Sequence, residues 1–135
     1  MNPETTYPPG FALSHAARSD WDDGLRGFFA YRDLSVAAAT GGRVGAHVIR
    51  ARGASDEAGA PHRHTLEFQL VYVLRGWVEF DYAGVGPVRL EAGSCVTQPP
   101  GIAHAELAHS DDLEMLEITL PAKFATSSDE VTPGT

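Results

Sequence analysis

The chain has 135 residues, 43% of them hydrophobic, and a formal net charge of −8. That length supports one core and not two ordinary domains, and its ten Lys and Arg are scattered with no basic run, which excludes a phosphate-backbone surface. No apolar stretch approaches the roughly 20 residues a membrane helix needs. Residues 1–10 show no basic stretch followed by an apolar one of the secretory kind, so a cytoplasmic location is the default expectation. Cys95 is the single cysteine, which rules out an internal disulfide. We expect it as an inert buried thiol in an extended segment.

In chain order, residues 1–20 are predicted to form a poorly structured arm rich in Pro, Ser and Thr. Trp21 to Leu34, with Leu25, Phe28, Phe29 and Tyr31, carries too much aromatic surface for a linker and should pack on the body, with an edge strand near Phe28–Asp33. One helical turn is predicted over Ser35–Thr40, ended by Gly41 and Gly42. A strand follows over Arg43–Arg52, and Gly53–Ala60 reads as a polar loop.

Pro61 to Gly76 is the most informative stretch. His62 and His64 are one residue apart and share a face if extended, because strand side chains alternate with period two. Strands are predicted at Phe68–Leu74 and Trp77–Tyr82, joined through Arg75 and Gly76. Gln69, on one face with Val71 and Val73, brings a carbonyl oxygen toward the histidines. His104 follows the turn-forming run Gln98-Pro99-Pro100-Gly101, where a new strand would return beside the first pair. Short strands at Val88–Glu91, Ser94–Thr97, His104–Ala108 and Leu113–Leu120, with turn signals between them, point to an all-β sandwich or barrel. Residues 125–135, mostly Ser, Thr, Asp, Glu, Pro and Gly, are expected as a frayed tail.

Two motifs in this region resemble those of the cupin family. The first is glycine, five residues, His-x-His, three or four residues, glutamate, six residues, glycine. His62, His64 and Gly76 match it, Gln69 stands at the glutamate position and Asp56 at the first glycine. The second is glycine, five residues, Pro-x-Gly, two residues, histidine, three residues, asparagine. Gly93, Pro99, Gly101 and His104 match, and Ala108 replaces the asparagine. The resemblance implies a jelly-roll barrel, a double-stranded β-helix, over residues 21–124 with an N-terminal extension. It also implies a divalent metal inside.

The expected ligands are His62, His64, Gln69 and His104. Three imidazoles and one oxygen suit Fe(II), Mn(II), Ni(II), Co(II), Cu(II) or Zn(II), and donor type does not choose among them. Binding should weaken in mild acid, since a coordinating imidazole must be neutral and its ordinary pKa is about 6.5. Gln69 either coordinates directly or hydrogen-bonds a metal-bound water or a histidine. As a direct ligand it leaves the site one positive charge richer than a glutamate would, favouring anionic partners, and Gln69→Glu should then tighten the metal.

Glu106 shares the face of His104 and is the candidate acid or base; Glu67 shares that of Gln69 and is the weaker one, both being surface residues if the strand ends twist. Tyr72 falls on the outward face, His47 has no assignable register, and His15 and His109 are assigned to the surface. Two functional classes fit: a small metal-dependent enzyme, oxygenase-like or otherwise acting on a small oxygenated or anionic molecule, and a non-catalytic binding or sensing module. Phe68, Leu70, Tyr72 and Leu74 form an outward apolar stripe that needs a cover, either the aromatic N-terminal segment or a second copy of the chain. Small cupins are commonly dimers, so the resemblance favours a homodimer.

Overall fold

The computed structural model describes residues 6–22 and 28–128. Leu25 of the aromatic segment and residues 129–135 of the tail lie outside the described residues. Ten strands are present among those described: β1 (Phe29–Asp33), β2 (Gly45–Ala51), β3 (His62–Thr65), β4 (Phe68–Arg75), β5 (Trp77–Tyr82), β6 (Gly86–Glu91), β7 (Cys95–Gln98), β8 (His104–His109), β9 (Glu114–Leu120) and β10 (Ala125–Ser128). One helical turn, α1 (Val36–Ala39), precedes β2. No helix among the described residues is long and apolar enough to cross a membrane.

The strands form two antiparallel five-stranded sheets, one ordered β1-β2-β9-β4-β7 and the other β10-β3-β8-β5-β6. Their inner faces pack as a β-sandwich closed toward a barrel. The β4–β5 turn shows why its glycine is needed. Gly76 has φ +71°, and a Cβ there would lie 2.3 Å from Ser110 Oγ and 3.0 Å from Leu113 Cα. A side chain at this point would be strained by conformation and by contact.

The interior is divided along its length. Val73 and Val78, both fully buried, join Leu90 and Leu113 to fill one end. Burial of each such aliphatic side chain contributes roughly 1.5–3 kcal/mol. Toward the other end, the inward positions of the same strands become polar. Gln69 precedes Val71 and Val73 on β4, and Tyr82 follows Val78 and Phe80 on β5. A cavity of about 700 Å³ occupies that end, floored by Phe29, Ile49, Val71, Phe80 and Met115.

Three sequence expectations are corrected here. Ala125–Ser128 is a strand, paired with Thr65–His62, rather than the start of a frayed tail. Its polar side chains stay exposed, but its backbone extends the sheet edge. Cys95 is exposed, because it lies on the outward parity of edge strand β7, opposite Tyr72. His109 is buried at 1% relative exposure instead of lying on the surface. The cause is one extra residue in β8: Glu79 pairs with Ala108 but Phe80 with Glu106, so Leu107 bulges. A bulge resets the period-two alternation, and His109 turns inward with Glu106.

Candidate metal centre

Strand register brings the three histidines together. His62 on β3 pairs directly with His104 on β8, and His104 pairs in turn with Tyr82 on β5. His64, two residues along β3, faces the same way. The ring centroids lie 4.8 Å (His62–His64), 4.4 Å (His62–His104) and 4.9 Å (His64–His104) apart. One nitrogen from each ring falls within 4.8 Å of the others. His104 is buried, and the other two are half-buried.

The hydrogen bonds of these rings fit a metal. His62 Nδ1 lies 3.0 Å from the Ala60 carbonyl oxygen and His104 Nδ1 lies 3.0 Å from that of Ile102. A carbonyl only accepts, so each Nδ1 donates a proton, and the neutral ring then presents Nε2 as an electron-pair donor. His64 Nδ1 is 2.8 Å from Thr126 Oγ1, its cross-strand partner on β10. Outer partners on Nδ1 fix ring orientation and tautomer around a bound metal. A triad of this kind can hold a divalent transition metal, and the donor set does not distinguish one such ion from another.

Gln69 lines the same cavity and is 4% exposed. Its amide belongs to a directed chain across both sheets. Tyr82 donates its hydroxyl proton to Gln98 Oε1 at 2.8 Å; Gln98 Nε2 donates to Gln69 Oε1 at 3.2 Å; Gln69 Nε2 donates to Glu117 Oε2 at 2.9 Å. Burial pushes the Tyr82 phenol well above its ordinary value. The folded state therefore binds this proton more tightly than the unfolded chain, and its contribution is lost as pH rises past the unfolded value of about 10. Wild type should exceed Tyr82→Phe by about 1 kcal/mol near neutrality, the worth of one hydrogen bond. That advantage should shrink and then reverse at alkaline pH in urea titrations. A gap that stays constant across pH would contradict a buried, protonated donor.

Glu106 also lines the cavity, and a second cavity of about 450 Å³ shares Glu106, His62 and Thr126 as a wall. Its carboxylate makes a short contact with His109 Nδ1. The other nitrogen, His109 Nε2, donates to the Gly53 carbonyl at 2.9 Å. Because Gly53 can only accept, both His109 nitrogens face oxygen, and the Glu106 contact must hold one proton between its partners. The same strand straps the loop before His62: Ser55 and His109 exchange backbone hydrogen bonds at 3.1 and 2.8 Å, and Gly59 N donates to Glu106 O at 2.8 Å.

His47 lines the cavity, placed by its pairing with Glu117 on β9. Tyr72 is outward and exposed, as are Glu67 and His15. Sequence reasoning missed Glu117, Gln98, Tyr82 and the Glu106–His109 contact. Glu117 and Gln98 were detectable as polar residues at alternate positions with Thr119 and Val96; the His109 contact was not, since it depends on the bulge.

The family model for the Cupin domain matches residues 49–119. No curated protein matches the sequence. Among solved structures, KdgF from Halomonas sp. is similar at 20% identity and TM-score 0.69, covering 83% of this chain and 96% of that one. The polyketide cyclase RemF from Streptomyces resistomycificus is similar at 14% identity and TM-score 0.70, covering 88% and 85%. A salicylate 1,2-dioxygenase from Pseudaminobacter salicylatoxidans, 14% identical with TM-score 0.61, matches 78% of this chain with 31% of its own length. At these identities the neighbours speak for the fold, and the two sheets with three histidines facing one cavity agree with it. With the family model spanning more than half of its length, this chain belongs to the cupin family.

Proposed function

We propose that this protein is a metal-dependent enzyme whose ion is held by His62, His64, His104 and Gln69. Its substrate is a small oxygenated molecule with an apolar body, and Glu106 is the acid–base group. The observation that carries this reading is the imidazole triad, with each Nδ1 committed to an oxygen and the rings opening on a cavity of about 700 Å³. A divalent ion in such a site polarises a substrate oxygen and can leave positions open for further ligands. The cavity floor of Phe29, Ile49, Val71, Phe80 and Met115 suits an apolar skeleton, and its volume lies within the usual range for small-molecule sites, roughly 300–1,000 Å³. Glu106 lines the cavity and is held by His109, which supports its role as the group that gives or takes a proton at a substrate atom.

The test is metal content, followed by oxygen consumption and product analysis of the Fe(II)-loaded protein with a panel of aromatic and aliphatic hydroxy and keto compounds. Turnover that falls in Glu106→Gln while metal content holds is the expected result. Tight binding with no turnover across the panel would make the protein a binding module instead.

The protein is further proposed to be a homodimer through the outer face of the β1-β2-β9-β4-β7 sheet. This face is apolar although it lies outside the core: Leu116, Ile118 and Leu120 of β9 face out beside Tyr72, Leu70 and Phe68 of β4. Tyr72 and Leu74 are 39% and 46% exposed. A continuous apolar face of this kind is seldom left in water. Sedimentation at micromolar concentration should give twice the 14.4 kDa of one chain. A clean monomer would remove the proposal.

A further inference from the structure

We propose that Glu117 is the positioning residue of the metal site. It fixes the Gln69 amide in one orientation and supplies, one hydrogen bond away, the negative charge that a glutamate at position 69 would supply directly. This rests on the metal reading above.

An amide has two chemically different ends, and only its neighbours decide which end points where. For Gln69 both neighbours agree. Glu117, as a carboxylate, accepts only, so it selects the Gln69 NH₂ group at 2.9 Å. The carbonyl Oε1 is then turned to Gln98 Nε2, and the Gln98 carbonyl to the Tyr82 hydroxyl. Reversing the chain would require Glu117 to donate to Gln69 rather than accept from it, whereas the Tyr82 hydroxyl can serve either direction. The Glu117 end sets the direction, so the Gln69 amide cannot flip alone without losing its bonds to both Glu117 and Gln98. Gln98 takes one of the two lone pairs on Gln69 Oε1, which leaves the other for a cation.

Glu117 also brings charge to the site. A divalent ion with three neutral imidazoles and a neutral amide has formal charge +2. Glu117 adds one negative charge beside that set, as a glutamate at position 69 would add one within it. Glu117 lies outside the cluster of nitrogens formed by His62, His64 and His104 and reaches the site through Gln69. It is placed there by register, since Val71 pairs with Glu117 and Gln69 with Thr119, making Gln69 and Glu117 diagonal neighbours on the inner face. The anion preference expected from Gln69 alone is correspondingly reduced. Gln69→Glu by itself would set two carboxylates against each other where a hydrogen bond now stands.

The test is Co(II) affinity, by calorimetry with the metal alone, in wild type, Glu117→Gln, Gln69→Glu and the double variant. Glu117→Gln should weaken Co(II) about tenfold or more in the Gln69 background, the usual cost of losing an outer-shell partner. In the Gln69→Glu background the same substitution should tighten Co(II), because it restores an amide–carboxylate hydrogen bond with the two groups exchanged. A merely structural role for Glu117 would give a loss in both backgrounds. Equal effects in the two backgrounds, or unchanged affinity on Glu117→Gln, would overturn the proposal. Should Glu117→Gln fail to fold, comparison of Gln69→Glu with the double variant decides alone: tightening sustains the assignment and weakening or no change overturns it. His104→Ala separates the two levels, since Co(II) binding that survives in it would remove the metal reading itself.

Discussion

Replacing His104 with alanine is expected to lower the affinity for a divalent transition metal by more than about 100-fold, beyond the 10–100-fold typical of losing an outer-shell partner. His104 is the middle of the site: it pairs with His62 across β3 and β8, and its ring lies 4.4 Å from His62 and 4.9 Å from His64. The remaining set would hold an ion by two imidazoles and the Gln69 oxygen only. The barrel should stay folded, because the buried cluster that includes Val73, Val78, Leu90 and Leu113 does not include His104. Circular dichroism should therefore be unchanged while elemental analysis shows the loss. His62→Ala and His64→Ala should behave alike. Full metal occupancy in the His104 variant would sink the ligand assignment.

The largest expected stability effect lies at His109. Its imidazole is 1% exposed, bridges the Glu106 carboxylate and the Gly53 carbonyl, and lies tilted by 38° with its centroid 4.9 Å from that of the Phe29 ring. His109→Ala would break the contacts to Glu106 and Gly53 and leave Glu106 beside a void, and each buried polar group left without its partner costs about 1–3 kcal/mol. Glu106 is 14% exposed at its side chain, so some water access should keep the loss toward the lower figure. The effect should be local as well as global. The amides of Ser55 and Gly59, bonded to His109 and Glu106 backbone oxygens, should exchange hydrogen faster in the variant. Urea titration showing a loss below about 1 kcal/mol, with no change in exchange at these amides, would contradict the clasp.

Much of the architecture was legible because glycine and proline punctuate the chain. The strand predicted at Trp77–Tyr82 occurs with those bounds, and Phe68–Leu74 extends by one residue to Arg75. Gly76 marks the turn between them since only glycine fits its φ and the approach of Ser110. The histidine face was legible for a similar reason: His-x-His in an extended segment leaves one geometry, and the run before His104 returns the chain beside it. What could not be read depended on contacts between distant segments. Ala125–Ser128 has no apolar pattern to reveal a strand, and becomes one by pairing with β3. His109 changed face because Leu107 bulges, which strict alternation cannot express. Cys95 is outward because β7 lies at a sheet edge with Val96 facing in, a parity set by pairing with β4. Glu117 acquires its place beside Gln69 from the β4–β9 register, which joins residues 48 positions apart.

X-ray absorption at the zinc edge of the Zn(II)-loaded protein is the most direct test of the central claim. The account predicts three imidazole nitrogens at about 2.0–2.1 Å, completed by oxygen and containing no sulfur. Fewer than three imidazoles in the shell, or a sulfur from the exposed Cys95, would contradict a centre built on His62, His64 and His104.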